Sequence, residues 1–288
     1  MGFLRNVGTV VLAGVLLLGT DAHSQHPRSI HDYPWLADEM TGTVAERFQP
    51  PDGYHRTDEG PESFSRWLRG LPLKPGRGTV HLYDGSAARD QENHVAVLAV
   101  DIGSRDLQQC ADAIIRLRAE YLREVGREDE IAFRFTSGDL ASWTDWRAGM
   151  RPGVSENRVT WTRSAEPDST YAAFRDYLDT VFIYAGTASL IRELEPVEDA
   201  TAVVPGDVFI IGGFPGHALI VIDVADSNDG DRVFMLAQSL LPAREIHIVR
   251  GGGPLRQSPW FEARREGMIH PAGWRFEFSD LRRFPATP

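Results

Sequence analysis

The amino-acid sequence predicts an α+β domain in which a helix with a cysteine at its N-terminal end packs on an antiparallel β-sheet. An amphipathic segment over 103–126 follows an apolar, β-rich segment over 94–103. Four further strand-like segments follow one another with only short turns between them, over 207–212, 217–225, 232–240 and 244–249. Consecutive strands joined by short turns pair antiparallel, and an amphipathic helix needs an apolar sheet face to pack on.

Residues 1–24 have the features of a secretory signal peptide. A basic residue, Arg5, precedes an apolar run over 10–18, and small residues at Ala22 and Ser24 predict cleavage after Ser24. The apolar run is too short and too rich in glycine for a membrane span, and no later segment is long and apolar enough. We therefore expect an exported protein, periplasmic or extracellular, without an integral membrane segment once the signal is removed.

The remainder of the chain divides into an irregular N-terminal arm over 25–60, rich in His, Pro, Asp and Gly, and a single domain over 61–288. An apolar fraction of 42% and a charged fraction of 25% are ordinary for a globular protein. The formal net charge of −11 argues against nucleic acid as a partner. The composition gives no indication of the oligomeric state.

Local periodicity predicts the elements of the domain in chain order. A short amphipathic helix over 62–71 is stopped by prolines and glycines, and strands follow over 80–85 and 94–103. The first of these strands is closed by an Asp-Gly turn. The second is apolar on both faces at its centre, which is typical of a buried strand.

The segment 103–126 is the predicted cysteine helix. Asp106 can cap its N-terminus with Gln109 as the capping-box partner, and Gly126 ends it. One stripe of this helix is expected to face the core and contains the cysteine: Cys110, Ile114, Leu117 and Tyr121. The other side is polar and is expected to point away from the core: Arg116, Glu120 and Arg123.

After the cysteine helix, the pattern predicts strands over 131–138 and 157–164 and a long helix over 168–194. A bend is expected near Gly186. The segment 225–231 has the composition of a hairpin turn between two of the late strands. A final strand is predicted close to the end of the chain.

Cys110 is the only cysteine of the chain, so it cannot form an internal disulfide. A free thiol in an exported protein needs an explanation. At a helix start the sulfur lies near unpaired amides and the positive helix end, which favours the nucleophilic thiolate. The alternative is a structural role, since cysteine is among the most buried residue types and Cys110 belongs to an apolar stripe.

His217 is the predicted partner of this thiol, as general base and acid. It begins a strand whose two faces are both apolar, so the histidine stands at the end of a central strand. If strands 217–225 and 232–240 pair around their turn, Gln238 lies within a residue or two of His217 and can orient the imidazole. Ser239 takes that role if the register shifts. The alternatives are a histidine that only terminates its strand and a glutamine that bonds to backbone.

Gln108 and Gln109 immediately precede the cysteine. Either side chain can donate to an oxyanion together with the Cys110 amide, although Gln109 is also a predicted capping residue. The sequence has no paired CxxC, no HExxH, no GxSxG and no phosphate-binding loop, so we expect no metal and no cofactor. No spacing singles out a pair of carboxylates for glycoside hydrolysis.

The motif PGD, an apolar strand, the dipeptide GH and a second apolar strand occupy 205–225. This arrangement resembles the C-terminal half of the NlpC/P60 branch of papain-like cysteine peptidases and amidases. The resemblance implies a papain-like α+β domain with Cys110, His217 and Gln238 in the order nucleophile, histidine and orienting residue. It also implies hydrolysis of an amide or peptide bond, with peptidoglycan peptide as the first substrate.

Two departures from that branch concern the nucleophile. The branch usually has Asp-Cys-Ser-Gly around its cysteine, whereas this chain has Gln-Cys-Ala-Asp around Cys110. The spacing from Cys110 to His217 is also longer here, which implies insertions over 131–200.

Segments spread over most of the domain carry a second resemblance, among them WLRGLPLKP, DLQQCADAIIRLRAEYL and GDVFIIGGFPGHALIVIDVA. They resemble the exported bacterial domain-of-unknown-function family numbered 4846, over roughly residues 60–285. That family implies export and no particular activity. The two functional hypotheses are an exported cysteine hydrolase with a Cys-His-polar triad and a catalytically silent cell-envelope binding module on the same fold.

Overall fold

The structure, a computed structural model, describes residues 1–2, 33–36, 40–57, 60–251 and 258–285. The predicted signal peptide lies outside the described residues except for its first two positions. The elements described below belong to one compact unit, Pro34–Pro288.

Within these residues the chain forms short helices and two longer ones. The helices are α1 Val44–Arg47, α2 Phe64–Arg69, α3 Cys110–Glu124, α4 Trp143–Arg147, α5 Tyr171–Tyr184 and α6 Thr187–Glu193. In the described part of the chain, none of the helices has the length and apolar character needed to cross a membrane.

The strands are mostly short, and the two longest form the hairpin at the centre of the main sheet. The strands are β1 Tyr54–His55, β2 His94–Val97, β3 Ala132–Arg134, β4 Leu140–Ser142, β5 Met150–Ser155, β6 Arg158–Arg163, β7 Glu195–Pro196, β8 Val208–Ile211, β9 His217–Ser227, β10 Arg232–Gln238, β11 His247–Val249, β12 Trp260–Glu262, β13 Met268–Ile269, β14 Phe276–Glu277 and β15 Leu281–Arg283.

The main sheet has the order β2-β11-β10-β9-β8-β15-β7, with β1 added to β9 and β12 added to β10. Its strand pairs are antiparallel. This confirms the predicted α+β class with an antiparallel sheet. Strands β9 and β10 carry buried apolar side chains along most of their length, because helices or loops cover both faces of the sheet centre.

Helix α3 begins at Cys110 itself, four residues after the predicted cap. Gln109 is the N-cap residue, and its amide donates to Asp112 Oδ2 over 3.0 Å. Asp106 is instead part of the preceding loop, where it accepts from the Ala243 amide over 2.6 Å. The prediction that Asp106 caps the helix was therefore wrong, because its carboxylate bonds to the backbone of Ala243 in the loop after β10.

Two of the three residues on the polar side of α3, Arg116 and Glu120, are buried, contrary to the expectation from its amphipathic pattern. Arg116 is 0% exposed and Glu120 is 4% exposed. Arg116 donates to Glu120 over 2.7 Å and to Asp101 and Tyr171 over 2.9 Å each. Tyr171 is the first residue of α5, so this helix lies against the charged side of α3 and supplies one partner of Arg116.

The predicted long helix over 168–194 is interrupted where the bend was expected. Helix α5 ends at Tyr184, Gly186 caps the next helix, and α6 begins at Thr187. The prediction of a continuous strand over 80–85 was wrong. Its residues form isolated bridges, in which His81 pairs with Ala87 and Leu82 pairs with Arg244.

The described part of the predicted arm contains more regular structure than expected. Helix α1 is closed by a capping box between Thr43 and Glu46. Strand β1 pairs with the far end of β9. Arg56, just after β1, donates to the buried carboxylate of Asp223 in β9 over 2.8 Å, so the arm is fixed to the sheet by backbone and charge.

Candidate active site

Cys110 lies at the start of the strand that carries His217. It is the first residue of α3 and is partly exposed. The backbone amide of Ala218, the residue after His217, approaches the Cys110 sulfur. Among the described residues, no hydrogen bond links the thiol to the His217 ring. The structure thus brings the thiol to the first residues of β9, where the amide of Ala218 is its hydrogen-bonding neighbour.

His217 and Gln238 are in direct contact, as predicted. His217 Nε2 and Gln238 Oε1 are 2.7 Å apart, and each residue is 1% exposed. The β9–β10 ladder ends at the pair Ile220 and Ala237 after an irregularity beside Met235. The two side chains therefore meet just beyond the last paired residues, at the shared end of the two strands.

Gln238 has a second contact that was not predicted from the sequence. Gln238 Nε2 lies 3.2 Å from His247 Nε2, and His247 Nδ1 lies 2.9 Å from the backbone oxygen of Glu245. His247 stands directly opposite Gln238 in the β10–β11 pair. The sequence predicts both strands, 232–240 and 244–249, but the loop between them does not determine which residues pair. His247 could therefore not be identified as the neighbour of Gln238 from the sequence.

Trp274 is a second residue that the sequence analysis did not single out. Its ring lies parallel to the His217 ring, with centroids 4.4 Å apart and planes 21° apart. Phe276 also lies near the imidazole, with ring centroids 6.2 Å apart. These aromatic rings cover the imidazole and, with its burial, restrict the orientations that it can adopt.

Ser239, the alternative orienting residue, is engaged away from the imidazole. Its hydroxyl lies 3.0 Å from the backbone oxygen of Gln108 and 2.6 Å from that of Arg244. It therefore ties the end of β10 to the loop that precedes α3. This contact helps to hold Cys110 beside the end of the sheet.

The two glutamines before Cys110 have different surroundings. Gln108 is 1% exposed, its Oε1 accepts from Arg116 over 3.0 Å, and its buried Nε2 has no partner among the described residues. Gln109 Nε2 donates to Asp106 over 3.3 Å. Gln108 Nε2 therefore keeps its donors unused, whereas Gln109 Nε2 already bonds to Asp106.

The thiol and the imidazole are both favoured in their neutral forms. Burial, with a smaller effect of the Asp112 carboxylate, raises the pKa of Cys110 to about 11. Burial lowers the pKa of His217 to about 4, although the Gln238 hydrogen bond opposes this. The prediction that the thiolate is stabilised was wrong, because burial raises the pKa of Cys110 more than the helix N-terminus lowers it.

Asp112 is the buried acid closest along the chain to the thiol. Burial raises its pKa to about 8, and its Oδ1 has no partner among the described residues. Its carboxyl group is therefore protonated at neutral pH and affects Cys110 as a charge only in alkaline solution. In the described part of the chain, no group of three or more His, Cys, Asp or Glu side chains is arranged to hold a metal ion.

Two exposed apolar side chains flank this end of the sheet. Phe214 is 97% exposed in the turn before His217, and Leu241 is 59% exposed in the loop after Gln238. Because β9 begins where β10 ends, the two loops emerge from the same edge. Exposed apolar side chains are therefore present at the end of the sheet where β9 begins.

Comparison with known protein families identifies the family of the chain. A family profile described as Domain of unknown function (4846) matches residues 44–283. No curated protein and no solved structure matches the chain significantly. The matched region contains the cysteine helix, the central hairpin and every residue of the candidate site. The chain belongs to this domain-of-unknown-function family.

Proposed function

We propose that the protein is an exported cysteine hydrolase of amide or peptide bonds, on a papain-like domain similar to the NlpC/P60 branch. Cys110 is the nucleophile, His217 is the general base and acid, and Gln238 orients the imidazole. The observation that carries the proposal is the buried contact of 2.7 Å between His217 and Gln238 at the strand end that the Cys110 sulfur approaches. A nucleophile, a base and an orienting group in this order are the components of a catalytic triad.

The hydrogen bonds define what the imidazole can do. An amide oxygen only accepts, so His217 Nε2 carries the proton that bonds to Gln238 Oε1. The other ring nitrogen, Nδ1, then has a lone pair and can take the thiol proton. Rotation of the Cys110 side chain from the Ala218 amide toward Nδ1 completes the pair.

The reaction then follows the usual balance of acyl transfer. The sulfur attacks the amide carbonyl while its proton passes to His217, and the imidazolium returns that proton to the departing amine. Water attacks the resulting thioester with His217 as base, which releases the carboxylic acid and restores the thiol. Because the resting pair is neutral, proton transfer accompanies attack rather than preceding it.

The oxyanion formed in this reaction needs donors close to the sulfur. The Cys110 backbone amide belongs to the first helical turn, where amides have no partner within the helix. Gln108 Nε2 is the second donor, because Arg116 holds the oxygen of the same amide group. In this proposal the oxyanion receives one backbone donor and one side-chain donor.

The substrate class follows from the reaction and from the expected location. Export and the resemblance to the NlpC/P60 branch favour a peptide of the cell wall. The net charge of −11 favours a neutral or basic substrate over an acidic one.

Hydrolysis of peptidoglycan peptides by the purified protein tests the proposal, with Cys110→Ser and His217→Ala as variants. We expect release of new amino and carboxyl groups by the parent and no turnover by Cys110→Ser. Because the chain has a single cysteine, iodoacetamide labelling reports on Cys110 alone. A parent without turnover on any peptide or amide, with equal labelling of parent and His217→Ala, would contradict the proposal.

A binding module on the same fold is the second candidate function. An open groove of about 540 Å³ lies beside the end of α5 and is lined by Phe135, Thr136, Asn157 and Tyr184 among others. Aromatic and amide side chains together can bind a sugar or peptide. Pull-down of cell-wall fragments by the Cys110→Ser protein, lost on Tyr184→Ala, would favour this function.

A further inference from the structure

A chain of buried hydrogen bonds continues beyond the proposed triad. It runs from His217 through Gln238 to His247 and ends at the backbone oxygen of Glu245. His217 and Gln238 are each 1% exposed and His247 is 4% exposed, so the side-chain groups along the chain bond to one another rather than to bulk water. Each buried polar atom then needs a partner of the opposite kind.

The backbone oxygen of Glu245, where this series of hydrogen bonds ends, determines the donor and the acceptor of every bond in the series. A carbonyl oxygen only accepts, so His247 Nδ1, 2.9 Å away, must carry a proton. Burial lowers the pKa of His247 to about 4, so the ring is neutral at pH 7 and its Nε2 has a lone pair. Gln238 must then turn its NH₂ group toward His247, over 3.2 Å.

The amide orientation in turn determines the proton position on His217. With its NH₂ group used by His247, Gln238 presents its oxygen to His217 Nε2, 2.7 Å away. His217 Nε2 must donate, which leaves the lone pair on Nδ1. If the amide turned over, the NH₂ group would meet His217 Nε2 and move the imidazole proton to Nδ1, where it would block the base.

We propose that His247 is a positioning residue that fixes the His217 tautomer through the Gln238 amide. The proposal rests on the proposed function for its catalytic meaning. Its physical content, two defined imidazole tautomers, is measurable without any substrate. The hydrogen bonds of His247 go to Gln238 and to the backbone oxygen of Glu245, so it acts through the amide.

Long-range ¹H–¹⁵N correlation spectra of the ¹⁵N-labelled full chain measure the tautomers directly. The ring signals are assigned by their loss in His217→Asn and His247→Phe. In the parent we expect His217 to carry its proton on Nε2 and His247 on Nδ1. A parent in which His247 carries its proton on Nε2 would overturn the proposal, even if no His247 variant folds.

The variants test whether His247 controls His217. The His247→Phe variant has an aromatic ring but no nitrogen acceptor for the Gln238 amide. In this variant the Nδ1-protonated form of His217 should appear, and iodoacetamide labelling of Cys110 should slow by about threefold or more. His247→Gln restores an acceptor and should restore both readouts. His94→Phe is the matched control, because the His94 ring lies 5.9 Å from His247 but bonds to the Gly78 oxygen.

An unchanged His217 tautomer in folded His247→Phe would also overturn the proposal. Failure of the hydrolase proposal is distinguishable, because it appears as absent turnover in a parent that still shows the two expected tautomers.

Discussion

His217 Nε2 lies 2.7 Å from Gln238 Oε1 at a strand end where both side chains are almost fully buried. Withdrawing an imidazole and an amide from water is unfavourable unless their polar atoms are paired. Pairing them also holds the imidazole in one orientation and directs its second nitrogen away from Gln238. The contact therefore stabilises the strand end and fixes the orientation of the imidazole.

Replacing Gln238 with Ala should lower turnover by roughly 10- to 100-fold, because the imidazole loses its fixed tautomer. The folded state should lose about 1–3 kcal/mol, since the buried nitrogens of His217 and His247 lose their partner. Steady-state kinetics and denaturant unfolding measure the two effects. Gln238→Glu keeps an acceptor of the same length and serves as the matched variant. Full turnover in Gln238→Ala would remove Gln238 from the mechanism.

The pH dependence of Cys110 alkylation distinguishes a neutral resting pair from a thiolate–imidazolium pair. With the pKa of Cys110 at about 11, the thiolate fraction rises about tenfold per pH unit across pH 7–10. The rate of iodoacetamide labelling should rise in the same proportion. A rate that is already constant below pH 8 would instead establish a thiolate stabilised by His217, as the sequence alone predicted.

Asp112 should make the protein less stable as the pH rises. Its pKa is raised from 3.8 to about 8 by burial, so between these values the folded state holds a proton that the unfolded state has lost. The free energy of unfolding then falls by up to about 1.4 kcal/mol per pH unit from this group. Asp112→Asn lacks the effect and should gain stability relative to the parent from pH 5 to pH 8.

Denaturant unfolding of parent and Asp112→Asn at several pH values measures this difference. The Asn side chain keeps an oxygen for the Gln109 amide, so the helix start is preserved. A stability difference that does not change with pH would show that Asp112 is ionised in the folded protein.

Much of the site was predictable because local rules determine it. The hairpin turn over 225–231 and the alternation of its strands bring His217 and Gln238 to the same sheet edge. The register irregularity beside Met235 does not separate them, since both side chains extend past the last paired residues. Local hairpin geometry is the part of a β-structure that the sequence specifies best.

The remaining features depend on contacts that are distant in the chain. Arg116 is buried against α5, where it bonds to Tyr171, and no local pattern indicates which side of α3 that helix covers. The raised pKa of Cys110 depends on how completely the sheet end and loops exclude water, which periodicity does not measure. Stacking of Trp274 on His217 likewise joins segments that are far apart in sequence.

Phe214 should contribute to substrate binding rather than to the chemical step. Its ring is 97% exposed in the turn that leads to His217, and covering it with an apolar part of the substrate is favourable. Phe214→Ser should raise KM by about 3- to 10-fold with little change in kcat. Leu140→Ser, which changes a side chain that is 46% exposed in β4, is the control. Equal effects of the two substitutions would exclude a specific role for Phe214.

We expect Arg116 to stabilise the folded state and to hold the Gln108 side chain in place as a donor. Arg116→Met removes a fully buried charge whose partners, Glu120 and Asp101, would remain without it, and such a loss costs about 3–5 kcal/mol. The exposed pair between Arg264 and Glu262 provides the control, because Arg264→Met should change stability by less than about 1 kcal/mol.

The same substitution frees the Gln108 side-chain oxygen, which accepts from Arg116 over 3.0 Å. Turnover of Arg116→Met should therefore fall even at temperatures where circular dichroism shows the variant folded. Gln108→Leu should reproduce the loss of turnover without the large loss of stability, since it leaves the ion pairs of Arg116 in place. Full turnover in folded Arg116→Met and in Gln108→Leu would exclude Gln108 as an oxyanion donor and leave the Cys110 backbone amide in that role.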